Sequence, residues 1–358
     1  MNILLLSAWF DAQYRVMRCA AVAGGGDITI AGQNDARALA LSRYCKRFVP
    51  LYFEEDARAG AANIDAIAHR HGIGLVMPSD APTTRYLSVI APHLVTPHFP
   101  VPHTAAFDRL VSKDRFMELC AELNVPHPRG QMFDDRADVE AALARGDLRL
   151  PAMAKPLDDS GGAGVKLVTP ENAHTVLAAI DYAPVLIQDF MAGEDWSITV
   201  FCRNGAITKQ VVYTHPNDVF RFAPQPALEN ITARIVQTMN LSGVINFDAR
   251  IAPDGKVWMI ECNPRFYFNM DVAMVAGLNF ADINDATASV PDCEISIPRA
   301  SMAGLLRMKW PSANDRKMLL HWLADPLIFA LVAVGYHRSG GDRWLERWAV
   351  ARKTPERV

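Results

Sequence analysis

Short apolar runs alternate with amphipathic stretches along the N-terminal residues. Each run has the length of a buried strand, and the stretches between the runs carry apolar residues at helical spacing. This alternation predicts an α/β unit over residues 1–103, a parallel sheet with crossover helices. Its strands are expected at Ile3–Ser7, Ile28–Ala31, Phe48–Tyr52 and Leu75–Pro78, with a weaker one at Leu94–Thr96.

A second pattern begins after the prolines Pro97, Pro100 and Pro102, which mark a linker. Residues Ala105–Leu123 have the periodicity of one helix. The residues from there to 192 predict a small α+β unit that carries a glycine-rich turn. Its strands are expected near Gln131 and at Met153–Pro156, Val165–Val168 and Val185–Phe190, and its helices at Arg136–Ala144 and Glu171–Ile180.

Residues 193–310 have the pattern of antiparallel hairpins, because Asn204-Gly205 and Asp254-Gly255 are strong signals for two-residue turns. The last segment, residues 311–358, contains the apolar stretch Leu327–Val334. Asp325 and Pro326 separate this stretch from the apolar residues before it, so it is far shorter than the roughly 20 residues of a membrane span. We expect a helix packed on the body of the protein, with an interfacial membrane anchor as the alternative.

The second hairpin places two carboxylates opposite each other. If its turn has two residues, the register puts Asp248 opposite Glu261. Directly opposed residues have Cβ atoms about 4.5–5.5 Å apart, so like charges there are destabilising unless a cation lies between them. Hard divalent ions prefer carboxylate and amide oxygens, which makes Asp248, Glu261 and Asn263 a candidate Mg²⁺ site. The alternative is a solvated pair neutralised by Arg250 or Lys256.

The same register assigns the remaining residues of this hairpin. Pro253 is expected opposite Lys256 at the turn, and Asn246 opposite Asn263 on the face of the carboxylates. The other face is expected to be a core surface. Its residues are Phe247, Ala249 and Ile251 on the first strand and Trp258, Ile260 and Cys262 on the second.

The glycine-rich turn, Asp159–Gly164, follows the strand that ends at Lys155-Pro156. Such a turn can aim successive backbone N–H groups at an anion, although ordinary hairpin turns have similar sequences. It joins two strands, so it is not a P-loop, which opens a helix. Lys155 lies inside the apolar strand, where a lysine needs a partner such as a nucleotide phosphate. Lys113, on the helix Phe107–Cys120, has by itself the pattern of an ordinary charged surface residue.

Composition narrows the class of partner. The chain has 36 basic and 39 acidic residues and no block of like charge, so a small molecule is expected as partner and a nucleic acid is not. Its six cysteines lie far apart without zinc-site spacing, which predicts reduced thiols in a cytoplasmic protein. The apolar run Ile3–Leu6 is too short for a signal peptide and fits a first strand.

Taken in order, these motifs resemble the ATP-grasp superfamily. They are a lysine on a helix, Lys155-Pro156 with its glycine-rich loop, the acidic segment Gln188–Asp195 after a strand, Asp248, and Glu261-Cys262-Asn263-Pro264-Arg265. The string Asn263–Phe266 is similar to the carbamoyl-phosphate-synthase-like and carboxylate–amine ligase branch. The resemblance covers about residues 1–300. It implies a biotin-carboxylase-like N-terminal α/β domain (1–103), a first ATP-grasp part with a lid (104–192), a C-terminal antiparallel part (193–310) and an apolar helical extension (311–358).

The resemblance also implies a role for each matching residue. The lysines would contact ATP phosphates under the glycine-rich loop, the segment 189–191 would hold the adenine edge, and Asp195, or Glu194 beside it, would bond the ribose hydroxyls. Arg265 and Lys155 would be the catalytic cations, with Arg265 at the γ-phosphate, the acyl phosphate or the substrate carboxylate. The metal would be Mg²⁺, with two ions expected and Mn²⁺ as an alternative, on Asp248, Glu261 and Asn263. The implied nucleotide-binding residues are Lys113, Lys155, Ser160, Gly161, Gly162, Gly164, Gln188, Asp189, Phe190, Met191 and Asp195.

The implied reaction activates a small carboxylate as an acyl phosphate and passes it to an amine, an amino acid or a peptide, with release of ADP and phosphate. The alternatives are a carboxylase or carbamoyl-phosphate-type activity on bicarbonate, a non-catalytic ATP-binding module, and a ligase associated with membranes through its apolar C-terminal segment. The sequence is compatible with a homodimer and does not identify the acid or the amine.

The residues after Arg265 depart from the family pattern. Relatives often carry an aromatic, a small residue and a serine, whereas this chain has Tyr267, Phe268 and Asn269. A bulky Phe268 predicts either a reshaped acceptor pocket or simple packing in the core. If Arg265 has only a structural role, Asp271 is its expected partner.

Overall fold

The computed structural model describes residues 1–10, 13–157, 164–267, 269–283, 288–298, 301 and 310–333. Its N-terminal residues form a four-stranded parallel sheet. The strand order is β3-β2-β1-β4, and Leu4 and Leu6 pack under one set of helices while Ile3 and Leu5 face the core on the other side. The strands are β1 (Ile3–Ser7), β2 (Ile28–Gly32), β3 (Cys45–Pro50) and β4 (Leu75–Met77), and the helices are α1 (Gln13–Gly24), α2 (Ala57–His71) and α3 (Ala81–Ile90).

The weak fifth strand expected at Leu94–Thr96 is wrong. These residues follow a 3₁₀ turn at Ala91–His93, and the backbone N–H groups of Val95 and Thr96 donate to the Asp65 carboxylate at 3.0 and 2.9 Å. The Asp65 side chain thus takes the donors that a strand would have used. Parallel pairing with β4 is reduced to a single bridge between Val76 and His98.

The helix expected at Ala105–Leu123 is two helices, α4 (Thr104–Val111) and α5 (Lys113–Glu122). Ser112 between them is extended, with φ −79° and ψ 120°, and its carbonyl accepts the N–H of Phe116 at 2.9 Å. Serine favours such helix starts because its side chain competes for local backbone and side-chain partners. The break places Lys113 in the first turn of α5.

The second unit has the four predicted strands, which form an antiparallel sheet in the order β5-β8-β6-β7. The glycine-rich turn follows β6 and precedes β7, and residues 158–163 of this turn lie outside the described residues. The second predicted helix is shorter than expected. The strands are β5 (Gly130–Phe133), β6 (Ala152–Pro156), β7 (Lys166–Val168) and β8 (Val185–Asp189), and the helices are α6 (Arg136–Arg145) and α7 (Ala173–Ala178).

The third sheet is the largest, with the strand order β13-β12-β9-β10-β11-β15 and β14 beside β10. One face packs on α4, α5 and α8, and the other faces the N-terminal sheet. The two-residue turn at Asn204-Gly205 is confirmed, because Arg203 pairs with Ala206 and both turn residues have positive φ. The elements are β9 (Glu194–Arg203), β10 (Ala206–Thr214), β11 (Val219–Phe222), α8 (Pro226–Thr238), β12 (Gly243–Ile251), β13 (Val257–Asn263), α9 (Met270–Val275), β14 (Ala288–Ser289) and β15 (Cys293–Ser296).

The β12–β13 hairpin has the predicted register at the carboxylates and a different one near its turn. Asp248 pairs with Glu261, but beyond a β-bulge Ala249 pairs with Met259, and the connecting loop is longer than the predicted two residues. The predicted pairing of Pro253 with Lys256 is therefore wrong. On β13, the bulge also changes which residues between the turn and Glu261 face the core. Val257 and Met259 are buried there in place of Trp258 and Ile260.

The C-terminal helices α10 (Ala313–Leu323) and α11 (Pro326–Ala333) pack on the body of the protein, as predicted. Trp322 and Ile328 are buried in the same core as β1, β2 and α1. Among the residues that the structure describes, no helix is long and apolar enough to cross a membrane.

Candidate functional site

The paired carboxylates of β12 and β13 form the centre of the candidate site. Asp248 Oδ1 accepts hydrogen bonds from Ser197 Oγ at 2.6 Å and from Asn246 Nδ2 at 3.0 Å. Asn263 Nδ2 lies 3.3 Å from both Asp248 Oδ2 and Glu261 Oε1. The structure thus brings together the three predicted metal ligands, with the amide nitrogen of Asn263 facing both acids.

A polar row behind Asp248 fixes its orientation. Asn246 is buried, and its Oδ1 accepts from Thr199 Oγ1 at 2.8 Å and from Tyr213 Oη at 3.1 Å. Ser197 and Thr199 on β9 lie directly opposite Asp248 and Asn246. Sequence reasoning missed this row, although Ser197 and Thr199 alternate with apolar residues at the period of a strand face.

The electrostatics of the pair differ from those of an ordinary surface pair. Burial and the neighbouring Glu261 raise the pKa of Asp248 to about 6. The two cations considered as neutralising partners are engaged elsewhere: Arg250 pairs with Asp195 at 2.8 Å, and Lys256 lies over the Trp258 ring at 3.9 Å. Two half-buried, directly opposed acids that neither Arg250 nor Lys256 neutralises suit a divalent cation.

The donor set at this hairpin is two carboxylates and one amide. Within the described ranges, no group of three or more histidine, cysteine or acidic residues could hold a metal ion. A site of this size cannot enclose a metal fully, but it fits Mg²⁺, which is usually held by one or two carboxylates and by substrate phosphates.

The predicted lysines lie buried near the carboxylates. Lys155 Nζ donates to Gln188 Oε1 at 2.7 Å, and burial lowers the pKa of Lys155 against the raising effect of Glu261. Lys113 is also buried, at 8% exposure, with its Nζ 3.0 Å from the Leu157 carbonyl. The interpretation of Lys113 as an ordinary surface charge is therefore wrong, because the break at Ser112 turns the start of α5 inward.

Arg250 connects the segments that were assigned to adenine and ribose. Its Nη1 donates to the Met191 carbonyl at 2.9 Å, its guanidinium lies 5.3 Å from the Phe190 ring centre, and it pairs with Asp195. The alternative ribose residue Glu194 instead lies 3.8 Å from Arg221. Sequence reasoning considered Arg250 only as a partner of the two acids.

Arg265 lies between the hairpin and the carboxyl end of β4. It donates to Asn263 Oδ1 at 3.1 Å and to the Phe266 carbonyl at 3.2 Å, and it lines a cavity of about 10 Å³ together with Pro78 and Thr84. Burial lowers the pKa of Arg265, whereas Asp80 and the two hairpin acids raise it. The expected structural partner Asp271 pairs with Arg15 and Arg18 instead.

Part of the predicted site lies outside the described residues. Ser160, Gly161 and Gly162 of the glycine-rich loop belong to this part, as does Phe268. Gly164 is described, with φ +71°, and its carbonyl accepts from Tyr182 Oη at 2.9 Å. The assignments of nucleotide-binding residues stay predictions.

Comparison with known proteins supports the motifs. Residues 181–300 match a family model described as ATP-grasp in the biosynthetic pathway with Ter operon. Over 176 residues the chain is 26% identical to the arginine-specific large chain of carbamoyl phosphate synthase from Geobacillus stearothermophilus. That match covers 44% of this chain but only 16% of the relative.

Solved structures show the fold. An L-amino acid ligase from Bacillus licheniformis is similar with a TM-score of 0.58 at 16% identity, over 79% of this chain and 72% of the ligase. An ADP complex of the N5-carboxyaminoimidazole ribonucleotide synthetase purK is similar with a TM-score of 0.65 at 12% identity, over 86% and 84% of the two chains. The chain thus has an ATP-grasp fold, as its motifs predict, and residues 181–300 match an ATP-grasp family model.

Proposed function

We propose that this chain is an ATP- and Mg²⁺-dependent ligase that activates a small carboxylic acid as an acyl phosphate and transfers the acyl group to an amine. The observation that carries the proposal is the half-buried, directly opposed pair Asp248 and Glu261, with Lys155 and Arg265 near it. The similarity to an L-amino acid ligase supports an amine as acceptor. The similarity to an ADP complex supports a nucleotide at the candidate site.

Asp248 and Glu261 are the residues we propose to hold Mg²⁺. Their oxygens suit a hard divalent ion, and Mn²⁺ or a second Mg²⁺ would use the same kind of donor. Asn263 would contribute its amide oxygen only after exchanging the positions of its amide oxygen and nitrogen, because Nδ2 faces the acids. When bound, the metal would neutralise charge on the transferred phosphoryl group.

The lysines and the segment around Met191 would hold ATP. Lys155 and Lys113 are buried cations, and phosphate oxygens would give them stronger, charge-assisted acceptors than the Gln188 amide and the Leu157 carbonyl. The backbone of residues 189–191 would bond the adenine edge, and Asp195 the ribose. Arg250 would keep these two parts together, since it binds both Met191 and Asp195.

The chemistry would proceed in two displacements. A carboxylate oxygen of the acid attacks the γ-phosphorus, the bond from that phosphorus to the β-phosphate oxygen breaks, and ADP leaves. The amine nitrogen then attacks the acyl carbon, the carbon–oxygen bond to phosphate breaks, and the nitrogen loses a proton. Arg265 would bind the acid or the transferred phosphoryl group, because a guanidinium can hold such oxygens in a bidentate fork.

Bicarbonate is the second candidate acid. The similarity to a carbamoyl phosphate synthase and to a carboxyaminoimidazole ribonucleotide synthetase favours it. The same residues would serve in both cases, since bicarbonate also presents a carboxylate-type oxygen to the γ-phosphate. The two candidates differ in the acid and share the nucleotide and metal sites.

An ADP-release screen tests the proposal. Carboxylic acids and bicarbonate are each combined with amines in the presence of ATP and Mg²⁺, and we expect ADP release that requires one acid and one amine. Asp248→Asn and Glu261→Gln should abolish the release, whereas Glu294→Gln, an exposed acid on the far edge of the same sheet, should not. Unchanged turnover in the first two variants would remove the metal assignment.

A further inference from the structure

The C-terminal helices carry exposed leucines on their outer face although their inner face is already buried. Leu320, Leu323 and Leu327 are 66%, 54% and 58% exposed, and they lie at helical spacing on α10 and at the start of α11. Leu41, at 52% exposure, ends the 3₁₀ segment that contacts α11. We call these four side chains the leucine patch. Single exposed leucines are ordinary, but several at one place mark an interaction surface.

The leucine patch is fixed to the body of the protein. Trp322 and Ile328 on the inner face of the same helices are buried in the main core. The junction between the helices is tied to the N-terminal unit, because Arg43 Nη1 donates to the Ala324 carbonyl at 3.0 Å and its backbone N–H donates to the buried Asp325 carboxylate at 3.3 Å. The patch is therefore a stable surface of the folded chain.

Basic side chains border the leucine patch. Arg316 and Lys317 are exposed one turn before Leu320, and Arg43 is exposed at the junction of the helices. The sequence that follows, residues 334–358, continues this composition with Trp344 and Trp348. It has six basic residues, Arg338, Arg343, Arg347, Arg352, Lys353 and Arg357, against three acidic ones, Asp342, Glu346 and Glu356.

We propose that the leucine patch and its basic border dock on an anionic membrane surface. A bilayer with anionic lipids offers both an apolar phase for leucine and a negative headgroup layer for lysine and arginine. A second copy of the chain fits less well, because a symmetric contact would bring the same basic residues of both copies together. Docking would be interfacial, since no helix in the described part of the chain can cross a bilayer.

Sedimentation of the full chain with vesicles tests this proposal. Wild type should bind vesicles of equimolar phosphatidylcholine and phosphatidylglycerol at least tenfold more tightly than vesicles of phosphatidylcholine alone, and salt should weaken the binding. Replacing Arg316 and Lys317 by glutamine should weaken it by about fivefold for each charge. Replacing Arg58 and Arg70, two exposed arginines of α2, should leave it unchanged.

A second set of variants tests the apolar part. The triple change Leu320→Gln, Leu323→Gln and Leu327→Gln should abolish binding, whereas Tyr52→Gln with Val95→Gln, at two exposed apolar positions elsewhere, should not. Thermal unfolding checks that each variant is folded, and if the triple variant is not, the Arg316 and Lys317 variant decides. The proposal is overturned if wild type does not bind the mixed vesicles or if the patch variants bind as wild type does. It is equally overturned if the leucine changes only abolish self-association seen in sedimentation velocity.

Discussion

Two acids of this molecule, Asp271 and Asp248, have opposite electrostatic surroundings. Asp271, on α9, lies between Arg15 Nη1 at 2.8 Å and Arg18 Nη2 at 3.4 Å; although burial alone would raise its pKa, these arginines lower it. Asp248, in the candidate site, faces Glu261 instead, and burial together with that neighbour raises its pKa to about 6. Burial raises the pKa of both acids, although Asp271 is fully buried and Asp248 half-buried, and the neighbouring charge decides the direction of each net shift.

This difference distinguishes the charge of Asp271, which stabilises the fold, from that of Asp248, which we propose to bind a metal ion. Asp271 holds α1 against α9, and the arginines that neutralise it also lie over the Trp322 ring of α10, with Arg18 at 4.2 Å from the ring centre. The charge of Asp271 is neutralised by residues of the chain itself. The Asp248 side chain is held in place by Ser197 and Asn246, and we propose that a divalent cation neutralises its charge together with that of Glu261.

The largest effect is expected from Asp271→Asn. Removing the acid leaves Arg15 and Arg18 buried and uncompensated, so we expect a loss of about 3–5 kcal/mol in the free energy of unfolding. Urea unfolding measures it. Asp108→Asn, which breaks the exposed pair with Arg85, is the matched control and should cost about 1 kcal/mol or less. Equal costs for the two variants would contradict the account of the Asp271 cluster.

Lys155→Met tests whether Lys155 binds a phosphate group of ATP. We expect ATP binding to weaken by about 1.5–3 kcal/mol, because a charge-assisted contact is lost. The free energy of unfolding should fall less than in the Asp271 variant. Lys155 is desolvated and bonds a neutral amide, so its removal leaves no buried charge without a partner. Titration calorimetry measures the affinity, with Lys46→Met, a 62% exposed lysine side chain, as control. Wild-type affinity in Lys155→Met would refute its role.

Asp248→Asn should change stability in the direction opposite to Asp271→Asn. The pKa of Asp248 is about 6 in the folded chain against 3.8 when unperturbed, so the folded state binds the proton more tightly. The protonated Asp248 side chain contributes fully to stability below pH 4, and this contribution is lost as the pH rises through about 6. Without divalent metal, the variant should therefore be more stable than wild type above pH 6, by on the order of 2 kcal/mol. Urea unfolding at pH 4 and pH 8 measures both ends, and a variant less stable at pH 8 would contradict this.

The smallest effect is expected from Arg265→Lys, which keeps the charge and removes the fork. If Arg265 stabilises the transition state, kcat and kcat/KM should fall together by about tenfold with little change in ATP affinity. If it only anchors the acid, KM for the acid should rise while kcat stays. Steady-state kinetics with the acid found in the screen separates the two. A variant with wild-type kinetics would make Arg265 a structural residue held by Asn263 and the Phe266 carbonyl.

Much of the fold could be predicted because it depends on local pattern. Four of the five predicted parallel strands, the lid strands and the Asn204-Gly205 turn follow from apolar runs and turn residues, and these are present. The errors come from side chains that bond backbone groups at a distance. The Asp65 carboxylate accepts the backbone N–H groups of Val95 and Thr96, which lie 30 and 31 residues further along the chain. No local sequence pattern predicts these contacts.

The carboxylate pair could be predicted although its turn was wrong. The bulge that shifts the register lies between the turn and Asp248, so the longer loop and the bulge compensate each other and restore the pairing with Glu261. The inward position of Lys113 and the contacts of Arg250 with Met191 and Asp195 could not be predicted, because they depend on how separate elements pack.

Nucleotide binding with and without Mg²⁺ tests the central claim most directly. A non-hydrolysable ATP analogue is titrated into wild type, Asp248→Asn and Glu261→Gln by calorimetry, each in Mg²⁺ and in chelator. We predict that Mg²⁺ raises the affinity of wild type at least tenfold and that this increase is lost in both variants, because the two acids bind the metal that bridges to the phosphates. The same increase in all three proteins would contradict the assignment of Asp248 and Glu261 as the metal site.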